Sequence, residues 1–265
     1  MADVQRVALI TGAAHGIGRA TAERLGADGC AVAVNDVDAD RAATAVDELA
    51  SLGIRAVPAI ADVTSETAVD EMVERVAGEL GPIAILVNNA GGTPATVDFA
   101  DRGSAGEAGP PQWASILDTP VADFEAFLRM NLTSAYICSR AVLPGMLAAG
   151  WGRIVCVSSI VASTGQRNGA GYAVGKAGLH ALVASLSKEV GPSGIGVNGI
   201  VVCNAPHPVR TPDRQAVLDE ATHLRRGGRY DEFAAAIAFL AGPDSSYVAG
   251  TMVPVDAGTH LTTLF

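Results

Sequence analysis

Aromatic and charged side chains are scarce in this chain: they make up 5% and 17% of its 265 residues. Hydrophobic residues make up 49%, so the chain has ample apolar material for a core. Disordered segments combine low hydrophobicity with high net charge, and that combination is missing here. Because a doubly wound α/β sheet often reaches this length, we expect one domain over residues 1–265.

Basic residues are also few, since 18 Lys and Arg stand against 28 Asp and Glu and the formal charge is −10. A surface for nucleic acid or an anionic membrane needs the opposite sign, so we expect neither partner. No uninterrupted apolar run reaches the roughly 18 residues that cross a bilayer. The start, MADVQRVALITG, leads into a strand rather than a signal peptide. These features favour a cytoplasmic protein without a membrane partner.

The four cysteines are too dispersed to form a metal site or a disulfide framework. Cys30, Cys138, Cys156 and Cys203 match neither the spacing of zinc ligands nor that of a small disulfide-rich domain. We therefore predict reduced thiols and no bound metal.

Short apolar runs alternate with longer segments of helical periodicity, which is typical of a parallel sheet buried on both faces. With right-handed crossovers, this alternation predicts an α/β fold: a Rossmann-type, doubly wound parallel sheet of about seven strands with helices on both faces. The predicted strands are residues 7–10, 31–34, 56–60, 83–87, 154–157 and 195–202. The predicted helices are residues 16–28, 38–52, 65–80, about 121–149 with a bend at Pro144, and 172–190. Gly29, Gly53 and Gly81 mark the ends of the first three helices.

Two stretches interrupt this alternation. Residues 92–119 are rich in Gly, Pro, Ala and Asp and are longer than most connections, which indicates a functional loop. Residues 203–229 follow the sixth strand at its carboxyl end, where open α/β sheets bind ligands. We expect this second stretch to be a substrate loop.

A glycine-rich turn, TGAAHGIG, follows the first strand and leads into a helix. Glycines let the backbone approach a pyrophosphate, to which the helix offers unpaired N–H groups. Asp36 ends the next strand, where its carboxylate can accept hydrogen bonds from an adenosine ribose and would repel a 2′-phosphate. Neither His15 nor Val37 supplies a dependable cation there, so the sequence predicts NAD rather than NADP. The alternative is that Asp36 only begins a turn.

A tyrosine and a lysine stand one helical turn apart at Tyr172 and Lys176, which places both side chains on one helix face. Tyrosine titrates near pH ~10, and a neighbouring ammonium should lower its pKa so that it can act as a base near neutrality. Ser159, thirteen residues before the tyrosine, lies on another element and can donate to the oxygen on which the tyrosine acts. Tyr and Lys pairs at this spacing are also common on surface helices. The pair therefore predicts a catalytic site only together with the nucleotide-binding motif.

Four motifs occur in one order along the chain and together resemble the short-chain dehydrogenase/reductase family. They are the glycine turn of residues 11–18, the run Asn88–Asn89–Ala90–Gly91, Asn131, and the set Ser159, Tyr172 and Lys176. The resemblance covers residues 7 to about 258. It implies hydride transfer between a nicotinamide cofactor and a carbinol or carbonyl carbon.

The resemblance also implies a role for each matching residue. Tyr172 is expected to transfer the proton, Ser159 to orient the substrate oxygen, and Lys176 to lower the tyrosine pKa and bind the nicotinamide ribose. Asn131 is expected to hold a water in a proton relay to the lysine. The residues expected to contact the cofactor are Gly12, His15, Gly16, Ile17, Gly18, Asp36, Asp62, Val63, Asn89, Ala90, Gly91, Tyr172, Lys176 and Thr211.

The chain departs from the family pattern at two places. A Pro-Gly pair usually follows the sixth strand, whereas here either Val202 and Cys203 or Pro206 and His207 take its place. The second alignment, which we favour, makes Thr211 the residue that binds the nicotinamide carboxamide. The long stretch 92–119 begins just after the cofactor-lining run, which puts its base near the active-site mouth. We expect it to shape the substrate entrance or an oligomer contact, with a decorative insertion as the alternative.

These features predict an NAD-dependent alcohol dehydrogenase or carbonyl reductase that acts on a small secondary alcohol or ketone. Two alternatives remain open: a non-redox enzyme with bound NAD, such as an epimerase or dehydratase, and a nucleotide-sensing protein without turnover. The resemblance also favours a homotetramer, packed through the helix from about residue 121 and the one from Tyr172, with a dimer as the alternative.

Overall fold

Seven parallel strands form one sheet in the order β3-β2-β1-β4-β5-β6-β7. The computed structural model describes residues 5–94, 115–206 and 211–261. The strands are β1 Val7–Ile10, β2 Ala31–Asp36, β3 Ala56–Ile60, β4 Ile83–Asn88, β5 Gly152–Ser159, β6 Ile195–Val202 and β7 Met252–Val255. The predicted Rossmann-type parallel sheet is therefore confirmed, and all six strands predicted from apolar runs are present.

Helices cover both faces of this sheet. They are α1 Gly16–Ala27, α2 Ala39–Ser51, α3 Glu66–Leu80, α4 Val121–Leu128, α5 Ser134–Ala149, α6 Val161–Thr164, α7 Ala170–Val190, α8 Pro212–Glu220 and α9 Tyr230–Ala241. The apolar residues of α3, α5 and α7 pack on one face, and those of α1, α2 and α9 pack on the other. Gly29, Gly53 and Gly81 end the first three helices with φ angles of +94°, +77° and +104°, as predicted.

The long helix that begins at residue 121 changes its hydrogen bonding at a different place from the one predicted. Arg129–Thr133 form a π-helical segment between α4 and α5, whereas Pro144 lies inside α5. A π-helical turn holds one more residue than an α-helical turn, and such segments often occur at functional sites. The interruption therefore falls at Asn131 rather than at the proline.

Among the described residues, the helical stretch Val121–Ala149 alone has the length and apolar composition to cross a membrane. A core helix passes the same test, and α5 buries Ala135, Ile137, Cys138, Val142 and Met146 within the domain. Its apolar character therefore serves the packing of α5 against the sheet.

Candidate functional site

The turn after β1 and the segment after β4 are held together at the carboxyl edge of the sheet. Thr11 Oγ1 donates to Val87 O (3.3 Å) and accepts from the backbone N–H groups of Asn89 (3.0 Å) and Ala90 (2.9 Å). Asn89 Nδ2 donates in turn to Thr11 O and Gly12 O, at 2.9 and 3.0 Å. The glycine turn and the Asn89–Ala90 pair thus form one rigid shelf.

The N-terminus of α1 projects from this shelf without a side-chain cap. The N-cap residue His15 makes no capping hydrogen bond, and the first turn of α1 carries no acidic residue, whereas Asp38 and Ser65 cap α2 and α3. A Cβ on Gly18 would lie 2.4 Å from Gly12 O, so the turn can close only around glycine. Uncapped N–H groups at a helix start suit an anionic ligand such as a pyrophosphate, so the residues present fit the predicted cofactor.

Asn35 supports the turn from the preceding strand, a role that the sequence analysis missed. Its Oδ1 accepts from Gly12 N (3.3 Å), and its Nδ2 donates to Ala59 O and Ala61 O at 2.9 and 3.1 Å. The side chain is buried, so each of these bonds forms away from water. The signal in the sequence is a lone amide at the end of the apolar run AVAVND.

Asp36 lies at the end of β2 with its side chain only 6% exposed. Its Oδ1 accepts from Asp38 N (3.0 Å) and from Arg41 Nη2 (3.1 Å), and Arg41 Nε lies 3.2 Å from Asp38 Oδ2. The sequence places no dependable cation at His15 or Val37, whereas the first turn of α2 brings Arg41 to this place. One guanidinium thus stands between two carboxylates, which leaves the cluster with a net negative charge.

Asp62 follows β3 in a local turn, with its Oδ1 accepting from both the N–H and the hydroxyl of Thr64, at 2.8 and 2.7 Å. Val63 is buried in the core beside it. The turn therefore holds Asp62 at the same edge of the sheet as Asp36, and its contact with the cofactor stays a prediction.

Ser159, Tyr172 and Lys176 come together in one cavity of about 300 Å3. Ser159 ends β5, while Tyr172 and Lys176 lie on α7, with Lys176 Nζ 5.8 Å from the centre of the tyrosine ring. Tyr172 and Ser159 share a hydrogen bond. The other described residues that line the cavity are Ile17, Asn89, Gly91, Val157, Ser158, Ile160, Val202, Cys203, Asn204, Ala205 and Pro206.

Asn131 is buried in the π-helical segment, and its amide is bound to backbone groups. Its Oδ1 accepts from Gly92 N (2.8 Å), and its Nδ2 donates to Gly92 O (2.8 Å) and Phe127 O (3.0 Å). The side chain therefore holds the chain where the 92–119 stretch begins. A water relay through Asn131 stays a prediction.

Glycines allow α7 and the π-helical segment to approach closely. A Cβ on Gly175 would lie 2.9 Å from Asn131 Cβ, and one on Gly178 would lie 2.5 Å from Leu132 Cδ2. A Cβ on Gly91 would lie 2.9 Å from both Asn131 Oδ1 and Lys176 Nζ. The buried amide and the buried ammonium are thus packed around a position that has room only for hydrogen.

Burial changes the titration of both groups on α7. It raises the pKa of Tyr172, while the hydrogen bond with Ser159 lowers that pKa by less. Burial also lowers the pKa of Lys176 to about 8, and its Nζ donates to Val157 O at 2.9 Å. Desolvation of the phenol thus dominates the pKa of Tyr172, and the expected lowering of that pKa by Lys176 stays a prediction.

The opposite wall of the cavity follows β6 and is held by side chains. Asn204, with φ +48°, donates from Nδ2 to Asp219 Oδ1 (2.9 Å) and accepts at Oδ1 from Gln215 Nε2 (3.2 Å). Gly228 N donates to Asn204 O at 3.2 Å. Asn204 therefore ties the end of β6 to α8, a role that was not predicted from the sequence.

Thr211 is placed as the N-cap of α8, where its Oγ1 accepts from Arg214 N at 3.3 Å. It is not among the described residues that line the cavity. Its predicted contact with the carboxamide stays a prediction, and His207 lies outside the described residues, as does most of the 92–119 stretch.

The four cysteines are free thiols, with Cys30, Cys138 and Cys156 buried. Burial raises the pKa of Cys138 to about 12 and that of Cys156 to about 11. Within the described part of the chain, no three His, Cys, Asp or Glu side chains converge in a way that could hold a metal ion.

Comparison with known proteins places this site among oxidoreductases. A family model described as "Enoyl-(Acyl carrier protein) reductase" matches residues 12–260. The chain is 36% identical to cis-4-hydroxycyclohexanecarboxylate dehydrogenase of Sinomonas cyclohexanicum, and the match covers 96% of each chain.

Solved structures show the same fold. A gluconate 5-dehydrogenase from Burkholderia cenocepacia J2315 in complex with NADP and tartrate is 27% identical, with a TM-score of 0.86 over 97% of this chain and 96% of that one. An NAD+-bound xylitol dehydrogenase is 29% identical, with a TM-score of 0.84 over 97% of this chain and all (100%) of the other. Proteins of this fold thus include complexes with either nicotinamide dinucleotide.

Proposed function

The chain belongs to the short-chain dehydrogenase/reductase family, and from this premise we propose that it is an NAD-dependent oxidoreductase acting on a secondary alcohol and the corresponding ketone. The observation that carries the proposal is the cavity in which Ser159, Tyr172 and Lys176 lie beside Ile17, the second residue of α1. An anion at the uncapped start of α1 would therefore border the same cavity as the proton-transfer group.

The nicotinamide cofactor, when bound, accepts or supplies the hydride. Asp36 would bind the adenosine ribose, the N–H groups at the start of α1 would bind the pyrophosphate, and Asn89 to Gly91 would line the dinucleotide. Tyr172 removes the hydroxyl proton of an alcohol or donates a proton to a ketone oxygen. Ser159, which shares a hydrogen bond with Tyr172, orients that oxygen.

A secondary alcohol is supported by the names of the relatives. The dehydrogenase of Sinomonas cyclohexanicum is named for a ring alcohol, and the structural neighbours are named for gluconate and xylitol. The family description names an enoyl group, so an enoyl thioester belongs among the test compounds.

Assembly and location are further parts of the proposal. Tyr136 and Leu147 of α5 and Val174 of α7 expose large apolar side chains, which supports a homotetramer packed through these helices, with a dimer as the alternative. Light scattering distinguishes these states. A cytoplasmic location is supported by the net negative charge of the chain and by the packing of α5 into the domain.

The decisive experiment is a screen with NAD and NADP in parallel, followed by nicotinamide absorbance. The test compounds are cis-4-hydroxycyclohexanecarboxylate, gluconate, xylitol and an enoyl thioester. Turnover of an alcohol with net NADH formation supports the proposal. Conversion without net NADH would indicate the non-redox alternative, and nucleotide binding without conversion would indicate the sensor.

Tyr172→Phe tests the assigned proton transfer within this experiment. General acid–base groups contribute about 10²–10⁴-fold, so we expect a rate loss of that size with nucleotide affinity unchanged. A variant with near-normal turnover would show that another group moves the proton.

Cofactor preference depends on the charge cluster at Asp36. Because Asp36 and Asp38 together exceed the charge of Arg41, a 2′-phosphate should be repelled, which supports NAD. Asp36→Asn releases Arg41 toward a 2′-phosphate and should raise the NADP/NAD ratio of kcat/KM at least tenfold. Asp40→Asn removes the same charge from the first turn of α2 while both ion pairs of Arg41 stay in place, so it serves as the matched control. An equal shift in both variants would show that overall charge, not the Asp36 contact, sets the preference.

A further inference from the structure

Two helices begin side by side at the ligand edge of the sheet. α1 follows β1 directly, and α9 runs down the same face before the chain returns to β7, so both start at the carboxyl ends of the strands. They pack against each other and share one apolar core. The first residue of α9, Tyr230, therefore lies beside the glycine turn.

Tyr230 contacts both sides of the cleft. Its hydroxyl donates to Pro206 O at 3.2 Å. A Cβ on Gly16 would lie 3.8 Å from Cε1 and 3.9 Å from Cζ of the tyrosine ring, so the ring packs over the glycine turn. Pro206 lines the substrate side of the cavity, and Ile17, next to Gly16, lines the cofactor side. The rigid side chain of Tyr230 thus connects the substrate side of the cavity with the cofactor side.

Asn204 of the same wall makes hydrogen bonds that lead to α8 and to Gly228 rather than to the glycine turn. Asn204 is bound to Gln215 and Asp219 of α8 and to Gly228 N. The hydroxyl of Tyr230 makes a hydrogen bond that joins the 203–206 segment to a residue packed on the glycine turn. A phenol is well suited to this, because its ring is stiff and its hydroxyl donates in a defined direction.

We propose that Tyr230 is a positioning residue that couples the 203–206 segment to the glycine turn and so sets the substrate entrance relative to the bound dinucleotide. The proposal rests on the proposed function. The hydroxyl holds the Pro206 end of the wall, while the ring supports the turn at Gly16. The two contacts can be removed one at a time.

Tyr230→Phe removes the hydroxyl and keeps the ring. One neutral hydrogen bond corresponds to a few-fold change, so the substrate KM should rise roughly threefold to tenfold with kcat and the nucleotide Kd nearly unchanged. Tyr230→Ala removes the ring as well and should also raise the nucleotide Kd. Tyr247→Phe deletes a hydroxyl from a fully exposed tyrosine and is the matched control. KM is measured with cis-4-hydroxycyclohexanecarboxylate, gluconate and xylitol, and Kd is measured by calorimetry with NAD and NADP.

Hydrogen exchange at the backbone amides of residues 203–205, without nucleotide, tests the contact independently of turnover. These amides should exchange faster in Tyr230→Phe than in the wild type or in Tyr247→Phe, with the amides of β6 unchanged. Equal exchange in all three proteins would overturn the proposal even if no alcohol is oxidised. Where alcohol is oxidised, an unchanged KM in Tyr230→Phe, or an unchanged Kd in Tyr230→Ala, would also overturn it. Absence of turnover in the wild type would instead contradict the proposed function.

Discussion

The two walls of the cleft are held by different kinds of contact. On the catalytic wall, formed by β5, α7 and the π-helical segment, Asn131 and Lys176 are buried and bond to the backbone at Gly92, Phe127 and Val157. On the substrate wall, Asn204 bonds to side chains of α8, a helix without a buried residue.

Under the proposed function, this difference separates the residues that carry out the chemistry from those that select the substrate. A buried polar group bonded to backbone atoms cannot change partners without leaving a donor or acceptor unsatisfied. The hydrogen bonds of Asn204 to Gln215 and Asp219 are only part-buried, so they can be exchanged at smaller cost because water reaches the partner that is left behind. The catalytic wall should therefore tolerate little change, and the substrate wall should allow substitutions that alter specificity.

Gly91→Ala breaks the catalytic wall and should have the largest effect. The added Cβ would lie 2.9 Å from Asn131 Oδ1 and from Lys176 Nζ, both held by other bonds, so the lysine must shift. A displacement of about 1 Å can cost about 10²-fold, so we expect kcat/KM to fall on the order of 100-fold. Gly78→Ala, on an exposed part of α3 with open space around it, is the control and should leave kinetics unchanged. Normal kinetics in Gly91→Ala would mean that the catalytic wall accommodates a substitution as easily as the substrate wall does.

Lys176→Met measures how the burial of the ammonium changes the free energy of unfolding. The folded-state pKa of about 8 lies below the ordinary lysine pKa of 10.5, so the unfolded chain binds more protons between these pH values. The wild-type free energy of unfolding should therefore gain a contribution on the order of 2 kcal/mol as the pH rises from about 8 to 10.5.

The methionine variant lacks this contribution, although it loses the bond to Val157 O at every pH. Its stability relative to the wild type should thus be highest below pH 8 and should decline toward pH 10.5. Urea denaturation of both proteins across this range checks the slope. Parallel curves would show that Lys176 titrates normally in the folded protein.

Asn204→Gly tests the substrate wall and should have the smallest effect. Glycine accepts the φ of +48° but removes the bonds to Gln215 and Asp219, so KM should rise a few-fold with kcat unchanged. Asn204→Ala removes the same bonds and adds backbone strain, which should lower the free energy of unfolding by about 1 kcal/mol more. If Asn204→Gly lowers kcat as strongly as Gly91→Ala does, the two walls do not differ as described.

The strands that position the site were predictable because each is buried on both faces and therefore reads as a continuous apolar run. β7 was not assigned a range, since Met252–Val255 is short, contains Pro254 and is only partly buried. The catalytic set was predictable from spacing within one helix and from the family motif, and the structure places Ser159, Tyr172 and Lys176 together.

The remaining contacts depend on tertiary geometry. Arg41 reaches Asp36 because the chain turns between β2 and α2, and Tyr230 reaches Pro206 across 24 residues of sequence. The raised pKa of Tyr172 depends on how completely the cavity excludes water, and spacing carries no information about that. Sequence therefore predicted which groups meet in the cavity but not the residues that hold them in place.

The π-helical segment Arg129–Thr133 sets the rotational phase between the two halves of the long helix. An α-helix turns by about 100° per residue, so deletion of one residue here would rotate α4 by that angle relative to α5. Phe127 would then leave the surface of α7, where it now packs against Gly171 at the start of that helix. The length of this segment is thus part of the active-site design, and a one-residue deletion should be more harmful than most substitutions within it.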